Sequence, residues 1–325
     1  MGKIHQPRSG SLQFWPRKRA SKLVPRVNWK PLTKKYSDKK LLGFIGYKAG
    51  MFRLLVRDLT PDSLTKNKQI LLPVSVLEIP SIKIMSVRFY KKDSRGIQVQ
   101  TEVLADNLDK ELKKKVKISK KKLQSKLDEL EKKLDEFYDI RIIVYTMVKK
   151  TGKKKKPDLV ELGLGGSIKD KFTFVKENLG KELNFKDFFE TGTLVDVHGL
   201  TKGKGLIGPV KRFGIGLKQH KSEKGRRRPG NIGSFTPRRT TMRAPQAGQG
   251  GMFTRISYNK KVLDINNKEN LDKFSFRNYG KVNTDYIIVK GSVQGAKKRA
   301  LVLSLPLRET KKRKKKNYEI IKIEK

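Results

Sequence analysis

Short runs rich in β-branched and aromatic residues, each bounded by Pro, Gly or Asp, recur along the chain at 41–47, 71–79, 82–90, 97–104 and 140–148. Later runs of the same kind lie at 159–164, 193–197, 285–290 and 300–305. Such runs predict strands. Pro80 separates the second run from the third and predicts a turn there, because proline cannot donate to a strand ladder. Many short strands joined by polar turns predict a mainly β fold, an antiparallel barrel or sandwich.

One stretch follows a different period. Leu123, Leu127, Leu130, Leu134 and Phe137 are spaced four and three residues apart in turn, the stripe of an amphipathic helix, with Ser119 as its candidate N-cap. Glu129 precedes Lys133 in the favourable i,i+4 order. The stripe is too short to establish a coiled coil, so it predicts a helix packed on its own domain. A second helix is predicted over 168–179. The region thus reads as an α+β insertion within a β protein. From 198 to 255 neither period persists.

Charge changes this picture. The chain has 325 residues with 78 Lys+Arg against 31 Asp+Glu, a formal net charge of +47. Residues 1–40 hold twelve basic and one acidic side chain, 198–255 fourteen and one, and 306–325 nine and three. These segments are also rich in Gly and Pro, so basic extensions are attached to a more balanced body. A chain this cationic calls for a polyanionic partner. The hydrophobic fraction of 36% implies that part of the chain has no core of its own. Cysteine is absent, which excludes disulfides, thiolate-zinc sites and cysteine nucleophiles. The apolar run at 140–148 is interrupted by Arg141 and falls far short of the roughly 20 residues of a spanning helix. The N-terminal region has no apolar run to serve as a signal core, so a soluble intracellular protein is expected, with no membrane partner.

Enzyme signatures are present only in outline. Gly203-Lys204-Gly205-Leu206-Ile207-Gly208 matches the letters of a dinucleotide fingerprint. Pro209 follows at once, and Arg226, Arg227 and Arg228 stand where an acidic ribose ligand belongs. No Gly-Lys-Ser/Thr occurs to complete a phosphate-binding loop. His5, His198 and His220 are far apart and lack a neighbouring carboxylate cluster, so ordinary polar contacts are expected of them. Glu182, Asp187, Glu190 and Asp196 read as partners of nearby lysines or as caps before Phe188 and Phe189. No catalytic constellation, metal site, cofactor or small-molecule substrate is expected.

The segment 198–255 holds twelve glycines. Alone it cannot offset an ordering cost of about 1–2 kcal/mol per residue. Either it is a flexible linker or an external scaffold moulds it. Spaced glycines allow close approach to a phosphate chain, and arginine forks grip phosphate oxygens. The interleaved Phe213, Phe235, Met242 and Phe253 favour moulding by RNA. The arm from Arg8 to Arg19, with Phe14 and Trp15 among its basic residues, has the same make-up. Lys153–Lys156 reads as a solvated loop near RNA, and the Lys311–Lys316 run as a solvated tail, an RNA contact or an import signal.

These residues also carry a resemblance. Gly10-Ser11-Leu12 with Pro16-Arg17-Lys18-Arg19, and Gly43-Phe44-Ile45-Gly46-Tyr47-Lys48-Ala49-Gly50-Met51, resemble the ribosomal protein L3 family in its archaeal form. So do the stretches 195–205 and 208–214, then Gly248-Gln249-Gly250-Gly251, and finally Val289-Lys290-Gly291-Ser292 through Gly295-Ala296-Lys297-Lys298-Arg299. They fall in order across nearly the whole chain. The resemblance implies a barrel of the translation-protein type with basic, RNA-moulded extensions. The chain would then divide into a basic N-terminal extension (1–40), a first barrel part (41–105) and an α+β insertion (106–192). A barrel strand (193–198), a Gly/Arg-rich central finger (199–256), the barrel closure (257–305) and a basic tail (306–325) would follow.

The resemblance further implies a structural constituent of the cytoplasmic large ribosomal subunit. It would bind the 3′-terminal domain of 23S-type rRNA, nucleate subunit assembly, contact neighbouring ribosomal proteins and reach toward the peptidyl transferase centre. The residues expected on rRNA are Arg8, Arg17, Lys18, Arg19, Lys48, Lys202, Lys204, Lys211, Arg212, Lys218, His220, Arg226, Arg227, Arg228, Arg238, Arg239, Arg243, Arg255, Lys297, Lys298 and Arg299. Phe235 would form the finger tip. There the sequence departs from the family's Gly-x-Trp-x-Pro, since Gly233-Ser234-Phe235-Thr236-Pro237 keeps an aromatic face but loses the indole donor. The alternative left open by the residues is a non-ribosomal RNA chaperone or assembly factor that uses the same chemistry transiently.

Overall fold

The computed structural model describes residues 14–38, 40–118, 126–236, 238–266 and 274–324. Its longest strand, β1 (Gly43–Asp58), is buried throughout its first eight residues and then alternates, with Phe52, Leu54 and Val56 inward and Met51, Arg53 and Arg57 outward. The second half therefore shows the period of two expected of a half-buried strand. β2 (Gln69–Glu78) returns antiparallel to it, Tyr47 opposite Glu78 and Arg57 opposite Gln69.

The chain then turns through Ile79, Pro80 and Ser81 and starts a different sheet. β3 (Ile82–Asp93), β4 (Gly96–Leu104), β5 (Asp139–Thr146) and β6 (Leu159–Gly163) pair antiparallel in the order β4-β3-β5-β6, with the two-residue β7 (Glu182–Leu183) also on β3. The predicted runs 82–90 and 97–104 thus join β5 and β6, whereas they were expected beside β1 and β2 in the first barrel part. Pro80 supplies the reason: it cannot continue the ladder of β2, so the next strand is free to pair elsewhere.

β8 (Leu194–Leu200) leads to a short pair, β9 (Gly205–Ile207) with β10 (Gly248–Gly250). β11 (Thr254–Asn266), β12 (Tyr286–Lys290), β13 (Ala300–Ser304) and β14 (Tyr318–Glu324) complete the larger sheet, ordered β13-β8-β11-β12-β2-β1-β14, and β13 pairs with β1 as well. β1 therefore serves two partners on one edge. Gly43–Tyr47 faces β13 and Arg53–Asp58 faces β14. The basic tail expected over 306–325 contributes this last strand beyond its lysine run, with Ile320 opposite Val56 and Ile323 opposite Leu54. Tyr318, Ile320 and Ile323 pack on the core, and the lysine run before them hides that short apolar pattern in the sequence.

Among the described residues, the predicted amphipathic stripe is helical over Lys126–Glu131, followed by a tight 3-10 turn at Leu134–Glu136. Leu127 and Phe137 are buried in the core, and Leu130 and Leu134 pack against it. The stripe thus serves its own domain. Phe137 has left the helix, and its ring centroid lies 4.9 Å from that of Phe89. Leu123 and the cap Ser119 lie outside the described residues. The second helix spans Ile168–Asn178 and opens with a capping box: the Ser167 hydroxyl accepts from Asp170 N, and the Asp170 carboxylate accepts from Ser167 N. It buries Phe172, Phe174 and Val175.

Two fully buried side chains tie distant segments together. Trp29 donates from Nε1 to the Glu161 carbonyl at 3.0 Å and lies against the backbone of Gly43 and Gly163, where added Cβ atoms would come within 2.4 and 2.8 Å of it. Glu78 accepts from Tyr279 Oη, Asn283 N at 2.8 Å, Thr284 N at 3.0 Å and the Thr284 hydroxyl at 3.1 Å. With four donors the carboxylate is satisfied without water, which is what makes its burial affordable.

The chain divides into two compact units, one of Val24–Gly199 with Ile256–Lys325, the other of Met1–Leu23 with Leu200–Arg255. The first holds the hydrophobic core. Among the described residues between Leu200 and Val262, Pro209 is the one apolar side chain that is buried.

Candidate nucleic-acid interface

In the unit without a core, backbone hydrogen bonds supply the order. β9 and β10 pair, Gly205 opposite Gly250 and Ile207 opposite Gly248. Lys204 N donates to Gly250 O at 2.8 Å, and Thr201 N to Phe253 O at 3.0 Å. Gly251 sits at φ +70°, and a Cβ there would fall 1.8 Å from the Lys202 carbonyl oxygen, so only glycine fits. Gly208 precedes a five-residue helix, Pro209–Phe213, with proline at the position where its missing N–H costs nothing. The Gly203–Gly208 letters thus make a short strand and a turn of helix stabilised by packing of chain on chain.

The N-terminal arm docks on this base. Ala20 N donates to Met252 O at 2.9 Å. Arg17 Nη1 donates to Arg212 O at 2.7 Å, and Arg212 Nη2 donates to Arg17 O at 3.3 Å. The Arg17 guanidinium lies 5.1 Å from the Trp15 ring centroid and 4.7 Å from that of Phe213. Arg255 lies 4.3 Å from the Phe14 ring and 5.2 Å from Phe253. Each such cation–π contact contributes about 0.5–1 kcal/mol at an exposed site. Aromatic faces thus do here what aliphatic packing does in a core.

These cations surround a hollow of about 280 Å3 lined by Arg17, Lys202, Lys204, Lys211 and Arg212, with Gln249 and the Gly250–Gly251 backbone beside them. No carboxylate lines it. Burial, then the charge of Arg17, lowers the pKa of both Arg212 and Arg255. Crowded positive charge with no counter-ion is the electrostatic signature of an anion site.

The remaining expected contacts are less concentrated. Lys218 N donates to Arg226 O at 3.1 Å, and Arg226 Nε donates to Lys218 O at 3.2 Å, which closes the loop that carries His220. His220, Arg227, Arg228, Arg239, Arg243, Lys18 and Arg19 are exposed. Phe235 is 77% exposed, and the Arg238 guanidinium lies 5.0 Å from its ring. Arg8 lies outside the described residues. In the other unit, Lys297 Nζ donates to Arg277 O at 2.5 Å, Lys298 is exposed and Arg299 is half-buried.

Lys48 corrects an expectation. It is buried, and its ammonium donates to the carbonyl of Val293, which leaves it inside the fold and not on a nucleic-acid surface. Its backbone bonds to Lys298 and Arg299 explain why these residues accompany it in the sequence pattern.

The groups set aside as catalysts have structural partners. His198 is buried, with Nε2 2.9 Å from Ser304 Oγ, and burial lowers its pKa to about 4. Asp196 accepts from Asn259 N at 2.7 Å and Leu307 N at 3.0 Å. Glu182 pairs with Lys150, and Asp187 caps a short 3-10 turn at Asn184. Among the described residues, no group of three His, Asp or Glu side chains is arranged to hold a metal ion, and no helix is long and apolar enough to cross a membrane. Lys154 of the expected solvated loop pairs with Asp158 and lies 5.2 Å from the Tyr47 ring.

The sequence reading missed the docking of arm on finger, because Arg17 and Arg212 lie 195 positions apart. The shared alternation of arginine with Trp15 and Phe213 was its only trace.

Comparison with known proteins agrees with the resemblance. The family described as ribosomal protein L3 matches residues 1–323. The chain is 42% identical over 321 residues to the large ribosomal subunit protein uL3 of Methanobrevibacter smithii, covering 96% of this chain and 95% of the relative. It is 40% identical over 307 residues to that of Methanococcus vannielii, covering 93% and 91%. Identity to that of Methanocaldococcus jannaschii is 39% over 312 residues, covering 94% and 92%.

Proposed function

The chain belongs to the ribosomal protein L3 family, and we propose that its core-less unit takes its working shape from large-subunit rRNA. As a member of that family it is a structural constituent of the large ribosomal subunit in the cytoplasm, and not an enzyme. Family membership also sets aside a free chaperone or assembly factor.

One observation supports the moulding: fourteen basic residues against one acidic occupy 198–255, and among the described residues Pro209 is the one buried apolar side chain between Leu200 and Val262. Phosphate provides the counter-charge that the protein lacks, and glycine lets the backbone approach it. The Arg17–Arg212 hollow is the first phosphate contact in this reading. Lys202, Lys204, Lys211, Lys218, Arg226, Arg227, Arg228, Arg238, Arg239, Arg243 and Arg255 continue along the strand. Phe235, exposed beside Arg238, is the tip that stacks on an unpaired base near the peptidyl transferase centre.

The remainder of the chain supports a barrel. Pairing runs β1-β2-β12-β11-β8-β13 and returns to β1, which supports reading the sheet as a closed barrel of the translation-protein type. The α+β insertion then begins at Ile82. The barrel would bind near the 3′-terminal domain of the rRNA and nucleate subunit assembly.

Hydrogen exchange tests the moulding. Amides at 200–250 should exchange rapidly in the free protein and slow on rRNA, while β1, β2, β12 and β13 stay protected in both states. Strong protection of 200–250 without RNA would refute the reading.

A further inference from the structure

The lysine-rich segment before β14 does more than lead into a strand. Arg313 Nη1 donates to the carbonyls of Tyr258 at 3.0 Å and Asn259 at 3.2 Å. Lys261 Nζ returns to this segment, donating to the carbonyls of Lys314 at 3.0 Å and of Lys316. Asn259 Nδ2 donates to Arg308 O at 2.7 Å and to the Thr310 hydroxyl at 3.0 Å. The segment 308–316 is therefore fastened along β11 at several points.

This fastening encloses a second hollow, about 240 Å3, lined by Lys260, Lys261, Lys290, Arg313, Lys316 and Tyr318, with Asn259 and Gly291 completing the wall. The Lys290 ammonium donates to Tyr318 Oη and stands 4.2 Å from the centre of that ring. No carboxylate lines the hollow. Five basic residues thus line a small space that no carboxylate of the described residues lines.

We propose that this hollow is a second rRNA contact, a pocket for a backbone phosphate, built by β11, β12 and the C-terminal segment. It rests on the reading of the chain as an rRNA-bound constituent of the large subunit. Several features select a phosphate group. The volume suits one phosphate with part of its sugar and is too small for a helix or a run of acidic side chains. Lys290, Lys260 and Lys316 offer point charges on flexible stems, the kind of donor that receives phosphate. Burial, reinforced by neighbouring cations, pushes Lys290 down to about 8 and lowers Lys260, and burial alone lowers Lys261, so these ammonium groups gain from an anion that shields them.

Competitive lysine acylation on the full-length protein, read by peptide mass spectrometry near pH 7.5, tests the pocket. Rates at Lys260, Lys290 and Lys316 are compared for free protein, protein on a large-subunit rRNA transcript and protein with polyglutamate, while filter retention measures rRNA binding separately. Slowing of Lys260 and Lys290 by at least tenfold on rRNA, and less than twofold with polyglutamate, is expected. Unchanged rates on retained rRNA would overturn the pocket and leave the general rRNA reading intact. Equal or greater slowing by polyglutamate would assign the hollow to an acidic peptide and overturn the proposal. Failure to retain rRNA at all would overturn both. As a second measurement, Lys260→Gln with Lys290→Gln should lower the slope of log affinity against log salt by about 1–2, while the Lys→Arg pair preserves it. An unchanged slope in the Gln pair, at wild-type melting temperature, would also sink the pocket.

Discussion

Arg17 and Arg212 each donate a hydrogen bond to the other's backbone carbonyl, at 2.7 and 3.3 Å. Two guanidinium groups are thereby held side by side without a carboxylate at the hollow they line. The arrangement fixes the arm on the finger base and leaves an uncompensated positive field there.

Removing one member should weaken rRNA binding by about one phosphate contact. Arg212→Gln is expected to lower affinity about tenfold, roughly 1.4 kcal/mol, and to reduce the salt slope by about 1. Filter binding across a salt series measures both. Unaltered affinity would mean that the pair faces no phosphate.

Phe235 should separate binding from function. It is one exposed aromatic among many cations, so Phe235→Ala should reduce peptide synthesis by reconstituted large subunits more than it reduces retention on rRNA. Equal losses in the two assays would contradict a tip that acts after assembly.

The buried His198 makes stability fall on the acid side. Its folded pKa, about 4, lies below the unfolded value near 6.5, so the unfolded chain binds the proton more readily. Its contribution is complete above about pH 6.5 and is lost as pH falls toward 4, roughly 3 kcal/mol in all. Thermal melts between pH 7 and 4.5 should show this decline, and His198→Gln should flatten it.

Gly43 should not tolerate a side chain. A Cβ there meets the buried Trp29 ring and the Leu303 carbonyl at 2.4 and 2.8 Å. Gly43→Ala is expected to cost about 1–3 kcal/mol, as overpacking does, read as a lower denaturant midpoint at constant m-value.

The start of β1 at 43–47 and the strands at 69–78, 139–146 and 286–290 were legible because apolar and β-branched residues dominate them, whereas the extension of β1 to Asp58 was not. β11 was not. Its residues from Thr254 to Lys261 expose Ile256 and Tyr258 and bury Asn259, the reverse of the usual alternation. Asn259 donates its backbone and side-chain N–H groups to Asp196, Arg308 and Thr310, and none of these is near it in sequence. Sheet membership was equally hidden: only Ile79, Pro80 and Ser81 separate β2 from β3, yet each pairs with different partners. Among candidate contacts, charge density singled out the arm and finger. It also selected Lys48, where burial reverses the role, and it passed over Lys260 and Lys290, which sit within β strands and outside any basic run.

The double partnership of β1 also bears on synthesis. At about 5–20 residues per second, its first half waits roughly 13–50 s for β13 to be made. The whole basic finger emerges during that delay. A nascent chain thus displays its cations while a sheet edge stands open, and capture by RNA competes with premature edge-to-edge association from the moment the finger leaves the exit tunnel.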